Sequence, residues 1–227
     1  MTAPAASPTR PSIEPFGEAA LLVTLGDTLD VPTARRAQAL AAAIREAAGD
    51  EPHWGTIVPG AASVLVGFDP LAVEREAVTQ ALASIAGALP AEPPQPAGAR
   101  AHTFRVAYGG EDGPDLPALA EETGLPIADV VERHASVGYE VAFLGFAPGF
   151  AYLLSVPEAI ARPRLATPRP RVPAGSIGIA GRATGIYPAP LPGGWRIVGR
   201  TDAILFDPHA REPARLRPGD IVRFVPR

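Results

Sequence analysis

Apolar positions fall into two different rhythms along this chain of 227 residues. Ala19 to Leu25 is a continuous apolar run suited to a buried strand. A helix follows: Asp30 can cap it, Pro32 fits its first turn, and Ala37, Leu40, Ile44 and Ala47 recur every three or four residues to make one face. Thr56 to Pro59 and Ser63 to Phe68 read as two strands joined around Gly60. Asp69 and Pro70 repeat the cap-and-proline start, Leu71, Val78, Leu82 and Ile85 supply a second stripe, and Gly87 can close that helix. The predicted order is βαββα over residues 16–88, after a proline-rich start over residues 1–15 that is expected to be disordered.

Residues 89–101 are rich in proline and poor in large apolar side chains, so they are expected to be a linker. Beyond it, over residues 102–227, His102 to Val106 reads as a strand and Asp115 can cap a short helix closed by Gly124. Ile127, Val130, Val131 and His134 share a face of another helix. Strand then dominates: Tyr139 to Leu144, Ser176 to Ala180, Trp195 to Arg200, Ala203 to Phe206 and Ile221 to Val225 are short, bounded by Gly or Pro and rich in β-formers. That is the pattern of an all-β barrel or sandwich. The class is therefore α+β, a small α/β domain followed by a β-barrel.

Composition changes the picture mostly by what it removes. The chain has no cysteine, and all 20 of its basic residues are arginine. Thiol nucleophiles, thiolate metal sites, Schiff-base chemistry and the lysine of a phosphate-binding P-loop are excluded here. A net charge of −4 argues against nonspecific nucleic-acid binding. No apolar core marks residues 1–12 as a secretory signal, and the longest uncharged run, Val141 to Pro157, falls short of a membrane span. Cytoplasm is the expected location, with neither nucleic acid nor membrane as a partner.

Chemistry concentrates between Gly145 and Asp207. GFAPGFAYL, Gly145 to Leu153, sets Phe146, Phe150 and Tyr152 around a Gly-Pro-Gly-like bend. Such a loop either plugs the barrel or forms an aromatic wall for a small ligand. Arg162 to Ser176 holds four arginines among prolines that enforce extended backbone. There Arg169 and Arg171 point the same way, as a clamp for a carboxylate or phosphate or as part of a solvated basic loop. GSIGIAG matches no dinucleotide fingerprint, and Ser176 lacks the helix that follows a nucleophile elbow. His134 is the one candidate base, yet its place on an apolar helix face favours a buried, hydrogen-bonded histidine. The four histidines are scattered without ligand spacing, so no metal is expected.

Several of these segments occur together and in order: YGGEDGPDL at Tyr108, GFAPGFAYL, TPRPRVPAGSIGIAG at Thr167, TGIYP at Thr184, PGGWRIVGRT at Pro192 and LFDP at Leu205, with VPGAASVLVGFDP at Val58 upstream. In this the chain resembles the 5-oxoprolinase B subunit family, also known as allophanate hydrolase subunit 1 or the sporulation kinase inhibitor family. The resemblance implies a cyclophilin-like C-terminal barrel. It also implies a hydrolase subunit, inactive alone, that acts with A and C subunits to open the lactam of 5-oxoproline to glutamate with ATP. The family's other branches imply two alternatives: a regulator that binds a sensor histidine kinase, or a carboxyltransferase-like subunit acting on urea-derived substrates. Carried over by position, Gly145, Phe146, Pro148, Gly149, Phe150 and Tyr152 would wall the site, and Arg171, Pro173, Gly175 and Ser176 would form its second edge. Tyr187, Gly194, Trp195 and Arg200 would complete the barrel mouth or the contact with the C subunit. Arg171 and Tyr152 are expected to converge on one carboxylate-binding pocket. Catalytic residues stay unassigned, with His134 the weak candidate, and ATP is ascribed to the assembled complex.

Overall fold

A computed structural model of the chain describes residues 11–227 and divides into two compact units between Gln95 and Pro96. Residues 1–10 of the expected disordered start lie outside the described residues.

In the first unit, β1 (Ser12–Pro15), β2 (Ala20–Thr24), β3 (Trp54–Pro59) and β4 (Ser63–Phe68) form an antiparallel sheet in the order β1-β2-β4-β3. Leu21 stands opposite Val66 and Val23 opposite Val64, so the buried alternates of adjacent strands share one face. Helix α1 (Val31–Ala48) turns Ala37, Leu40, Ala41 and Ile44 into the core that these strands share. Its start follows the pattern: the Asp30 carboxylate accepts the Thr33 amide at 2.8 Å.

Helix α2 (Arg75–Ala88) begins later than its pattern predicts. Asp69 does not cap it. Its carboxylate accepts the amide of Leu71, two residues on, at 2.9 Å, which makes a local turn and leaves Leu71 96% exposed. Gly87 sits inside the helix, which ends at Leu89 without a left-handed residue. The buried stripe is Val78, Leu82 and Ala86, with Ile85 packed at its margin. Residues 12–15, expected to be disordered, pair along β2 as β1.

In the second unit, β5 (Ala101–Tyr108), α3 (Leu116–Thr123) and α4 (Ile127–Ala135) precede β6 (Tyr139–Leu144) and β7 (Ala151–Leu154). They are followed by β8 (Arg169–Val172), β9 (Ser176–Ala180), β10 (Ala183–Ile186), β11 (Leu191–Gly193), β12 (Arg196–Arg200) and β13 (Ile221–Pro226). Seven strands close into a barrel, β10-β7-β6-β13-β5-β12-β9, in which only the β5 and β13 pair is parallel, and β8 with β11 makes a separate ribbon. The expected α+β class with a C-terminal barrel is what the structure has.

Phe104, Val106, Tyr139, Val141, Leu153, Ile177, Ile179, Val198, Val222 and Phe224 fill the barrel core. Ala203 to Phe206, expected as a strand, has no ladder: Phe206 makes an isolated bridge to Ala214, and Leu205 accepts the Arg215 amide. On α4 the buried residues are Val130 and His134, while Ile127 is 47% exposed. No described helix is long and apolar enough to cross a membrane.

Candidate functional site

The turn between β6 and β7 is short and heavily constrained. Gly145 donates to the Phe150 carbonyl, Ala147 to Gly145 and Phe150 to Ala147, all within 3.1 Å. Gly149 has φ +79°, and a Cβ there would lie 2.6 Å from the Cβ of Phe206, so glycine alone fits. Phe146 adopts φ +70° as well, a left-handed conformation that costs a non-glycine residue about 1–2 kcal/mol. Its ring is 58% exposed, which is an unusual place for phenylalanine.

Phe146 is the outer end of a connected aromatic cluster. Its ring meets Phe150 edge-on at 5.4 Å and Tyr187 at 6.5 Å. Phe150 in turn meets Tyr152, Tyr187 and Trp195 edge-on at 5.1, 5.4 and 5.4 Å, and Tyr152 stacks on Phe143 at 4.3 Å. Phe143 comes from β6, Phe146 and Phe150 from the β6–β7 turn, Tyr152 from β7, Tyr187 from the residue after β10 and Trp195 from the residue before β12. Small residues let them close. Trp195 lies against Gly178 and Gly185, where a Cβ would meet it at 2.8 and 3.3 Å, and the Tyr187 hydroxyl would lie 2.2 Å from a Cβ on Gly193. Edge-on rings offer positive edges to negative faces, so the cluster is a rigid aromatic wall whose inner members Phe150, Tyr187 and Trp195 are buried and whose outer member Phe146 is exposed.

Cations rim this wall. The Arg164 guanidinium lies 5.9 Å from the Trp195 ring centre. Arg169 donates from Nη2 to Asp115 at 2.6 Å, while the other Asp115 oxygen accepts the Ile197 amide at 2.6 Å. Burial raises the Tyr187 phenol above its ordinary range, while an amide hydrogen bond from Trp195 and the charges of Arg164 and Arg169 pull the other way.

The sequence-derived candidates separate into three groups. Phe146, Phe150, Tyr152, Tyr187 and Trp195 are brought together in the wall, with exposed Pro148 and buried Gly149 shaping its turn. Gly175, Ser176 and Arg200 form a neighbouring corner: Gly175 has φ +80°, a Cβ there would fall 2.0 Å from the Thr201 carbonyl, and Arg200 donates to the Ala174 carbonyl. Ser176 is buried at the start of β9. Arg171 and Pro173 stand exposed along and beyond β8. Arg169, two residues before Arg171, is the arginine that Asp115 holds, and its charge acts on Tyr187.

Sequence reasoning missed Asp115 as a site residue because it reads as a helix cap. It does precede α3, but its side chain makes no cap and reaches β12 and Arg169 instead. His134, the weak catalytic candidate, is 1% exposed, and both its ring nitrogens are engaged, with Tyr108 at 2.7 Å and Thr184 at 3.0 Å. Since the Thr184 hydroxyl donates to the Gly178 carbonyl, it accepts from Nε2, and Nδ1 accepts the Tyr108 hydroxyl. Burial lowers the histidine to about 3, so the ring is neutral with no free lone pair. It is a structural pin.

Leu205 and Phe206 also line a cavity of about 290 Å³ with Arg100, His102 and Arg215. Asp220 beside it accepts the Arg100 and Arg217 amides and pairs with His102 at 2.9 Å, tying the starts of β5 and β13 together.

Residues 11–216 match the family described as carboxyltransferase domain, subdomain C and D. The 5-oxoprolinase B subunit of Bacillus subtilis (strain 168) is 37% identical over 232 residues, covering 95% of this chain and 92% of that protein. The 5-oxoprolinase B subunit of Escherichia coli O157:H7 is 58% identical over 121 residues, covering 53% of this chain and 56% of its own length. The solved structure of TTHA0988 is similar with TM-score 0.76 and 37% identity over 92% of this chain, which spans 40% of that longer one.

Proposed function

This chain belongs to the 5-oxoprolinase B subunit family, and we propose that it serves as the B subunit of an ATP-dependent 5-oxoprolinase. In this reading it acts with A and C subunits in the cytoplasm to open the lactam of 5-oxoproline to glutamate. The observation that carries the reading is the identity to the Bacillus subtilis protein along 95% of the chain. The site supports it: the motif segments meet in one aromatic wall rimmed by arginine.

A lactam carbonyl resists attack by water because nitrogen donates into it. Phosphorylation of its oxygen by ATP supplies the activation. The groups on this chain suit the remaining work. The exposed Phe146 ring offers a face for a small five-membered ring, the partly buried Tyr152 can orient a polar edge, and the buried Phe150, Tyr187 and Trp195 hold these two in place from behind. The glycine-rich segment of this chain is no phosphate cradle. Between Gly175 and Gly181 it runs as barrel strand β9 (Ser176–Ala180) with Gly178 packed against Trp195, and no lysine exists to approach a phosphate. The ATP site is accordingly assigned to another subunit.

The test is reconstitution. The purified chain should release no glutamate from 5-oxoproline, and mixing it with A and C subunits should give ATP-dependent release. Turnover by the lone chain contradicts the division of labour, and an inactive mixture of folded, associated subunits contradicts the function.

A further inference from the structure

We infer that Arg169, fixed by Asp115, receives the carboxylate of the ligand bound at the aromatic wall; this rests on reading that wall as the 5-oxoproline site.

Asp115 is occupied on both oxygens, by the Ile197 amide and by Nη2 of Arg169. One end of the guanidinium is thereby pinned to β12. A purely structural arginine in such a place would spend its other donors on nearby carbonyls, as Arg196 does with the Pro163 carbonyl and Glu122. Arg169 does not. Its Nη1 is buried and has no hydrogen-bond partner among the described residues. A buried donor on a cation left unpaired is more costly than a neutral one, and folded proteins keep such a group where something else supplies the acceptor.

Position says what that acceptor is attached to. Arg169 on β8 is paired with Gly193 on β11, and the space where a Gly193 side chain would stand is filled by the Tyr187 hydroxyl. The Arg169 charge thus acts on Tyr187, whose ring meets Phe150 and the exposed Phe146 edge-on. A small planar ring against those aromatic edges, carrying one carboxylate toward Arg169, completes both the hydrogen bonding and the charge. Arg171, two residues on, is exposed and makes no such anchor.

The assembled A, B and C complex tests this, using 5-oxoproline and its primary carboxamide as substrates or competing inhibitors. The wild-type complex should favour the acid. Arg169→Gln should raise the KM for the acid about tenfold to a hundredfold, leave the carboxamide nearly unchanged and so abolish the preference. Arg171→Gln should keep it. If Arg169→Gln does not assemble, Arg169→Lys retains the pairing with Asp115 and should give an intermediate preference. An Arg169 variant that keeps the acid preference, or weakens acid and amide alike, overturns the inference. A wild-type complex that turns over no 5-oxoproline refutes the substrate reading and the inference with it.

Discussion

Around His134 the buried polar atoms have partners: Tyr108 and Thr184 take the two ring nitrogens, Tyr139 donates to the His134 carbonyl, and Phe224 stacks on the ring at 4.8 Å. Around Arg169 and Phe146, in the same barrel, the opposite holds. A guanidinium nitrogen is buried without an acceptor, a phenylalanine is exposed, and its backbone is left-handed. Elsewhere such departures occur singly, as an unpartnered buried nitrogen at Arg36 and at Arg100 and a left-handed backbone at Ser155, whereas Phe146 and Arg169 both adjoin Tyr187. That contrast separates the two regions better than residue type does, since the histidine looked more chemical than the arginine.

The largest effect should come from breaking the pin. His134→Ala removes a ring from beneath Phe224 and strips Tyr108 and Thr184 of their partner, so unfolding in urea should show a loss of about 3 kcal/mol or more. The complex, where it still forms, should keep its KM. A His134 variant that is fully stable yet inactive would reverse the roles of the two regions.

The pin also predicts a pH dependence. His134 is lowered from its ordinary 6.5 to about 3 in the folded chain. A proton is then bound by the unfolded state first, so its stabilising contribution is complete above about pH 6.5 and declines as pH falls toward about 3. Unfolding free energies of wild type and His134→Gln, measured from pH 7 to pH 4, should converge as the pH drops. Parallel curves would mean that the ring is not held neutral.

A smaller effect of the opposite sign is expected at the mouth. Phe146→Gly relieves the left-handed strain while adding unfolded-state freedom, so stability should stay level or rise by up to about 1 kcal/mol. Loss of stability would make Phe146 a packing residue.

The fold class was readable because α1 carries its cap and stripe in contiguous residues and the main barrel strands are β-rich runs between Gly and Pro. What could not be read depends on distant partners. Asp69 has the residue types of a helix cap but closes a turn, and Asp115 has the position of one but is drawn to Ile197, 82 residues on. β10 and β11 are short enough to be specified only by the strands beside them. Arg169 and Arg171 are equivalent by spacing. An aspartate 54 residues away from Arg169 distinguishes them, and no local pattern reports it.

Whether the aromatic mouth is where this chain meets its ligand is tested most directly by measuring two quantities on Phe146→Gly. These are its thermal unfolding as a purified chain and its KM for 5-oxoproline in the assembled complex. A ligand wall predicts unfolding no lower than wild type together with a KM raised about tenfold, the loss expected when a ring's apolar contact is removed. An unchanged KM, or a KM that worsens only in step with lost stability, would contradict it.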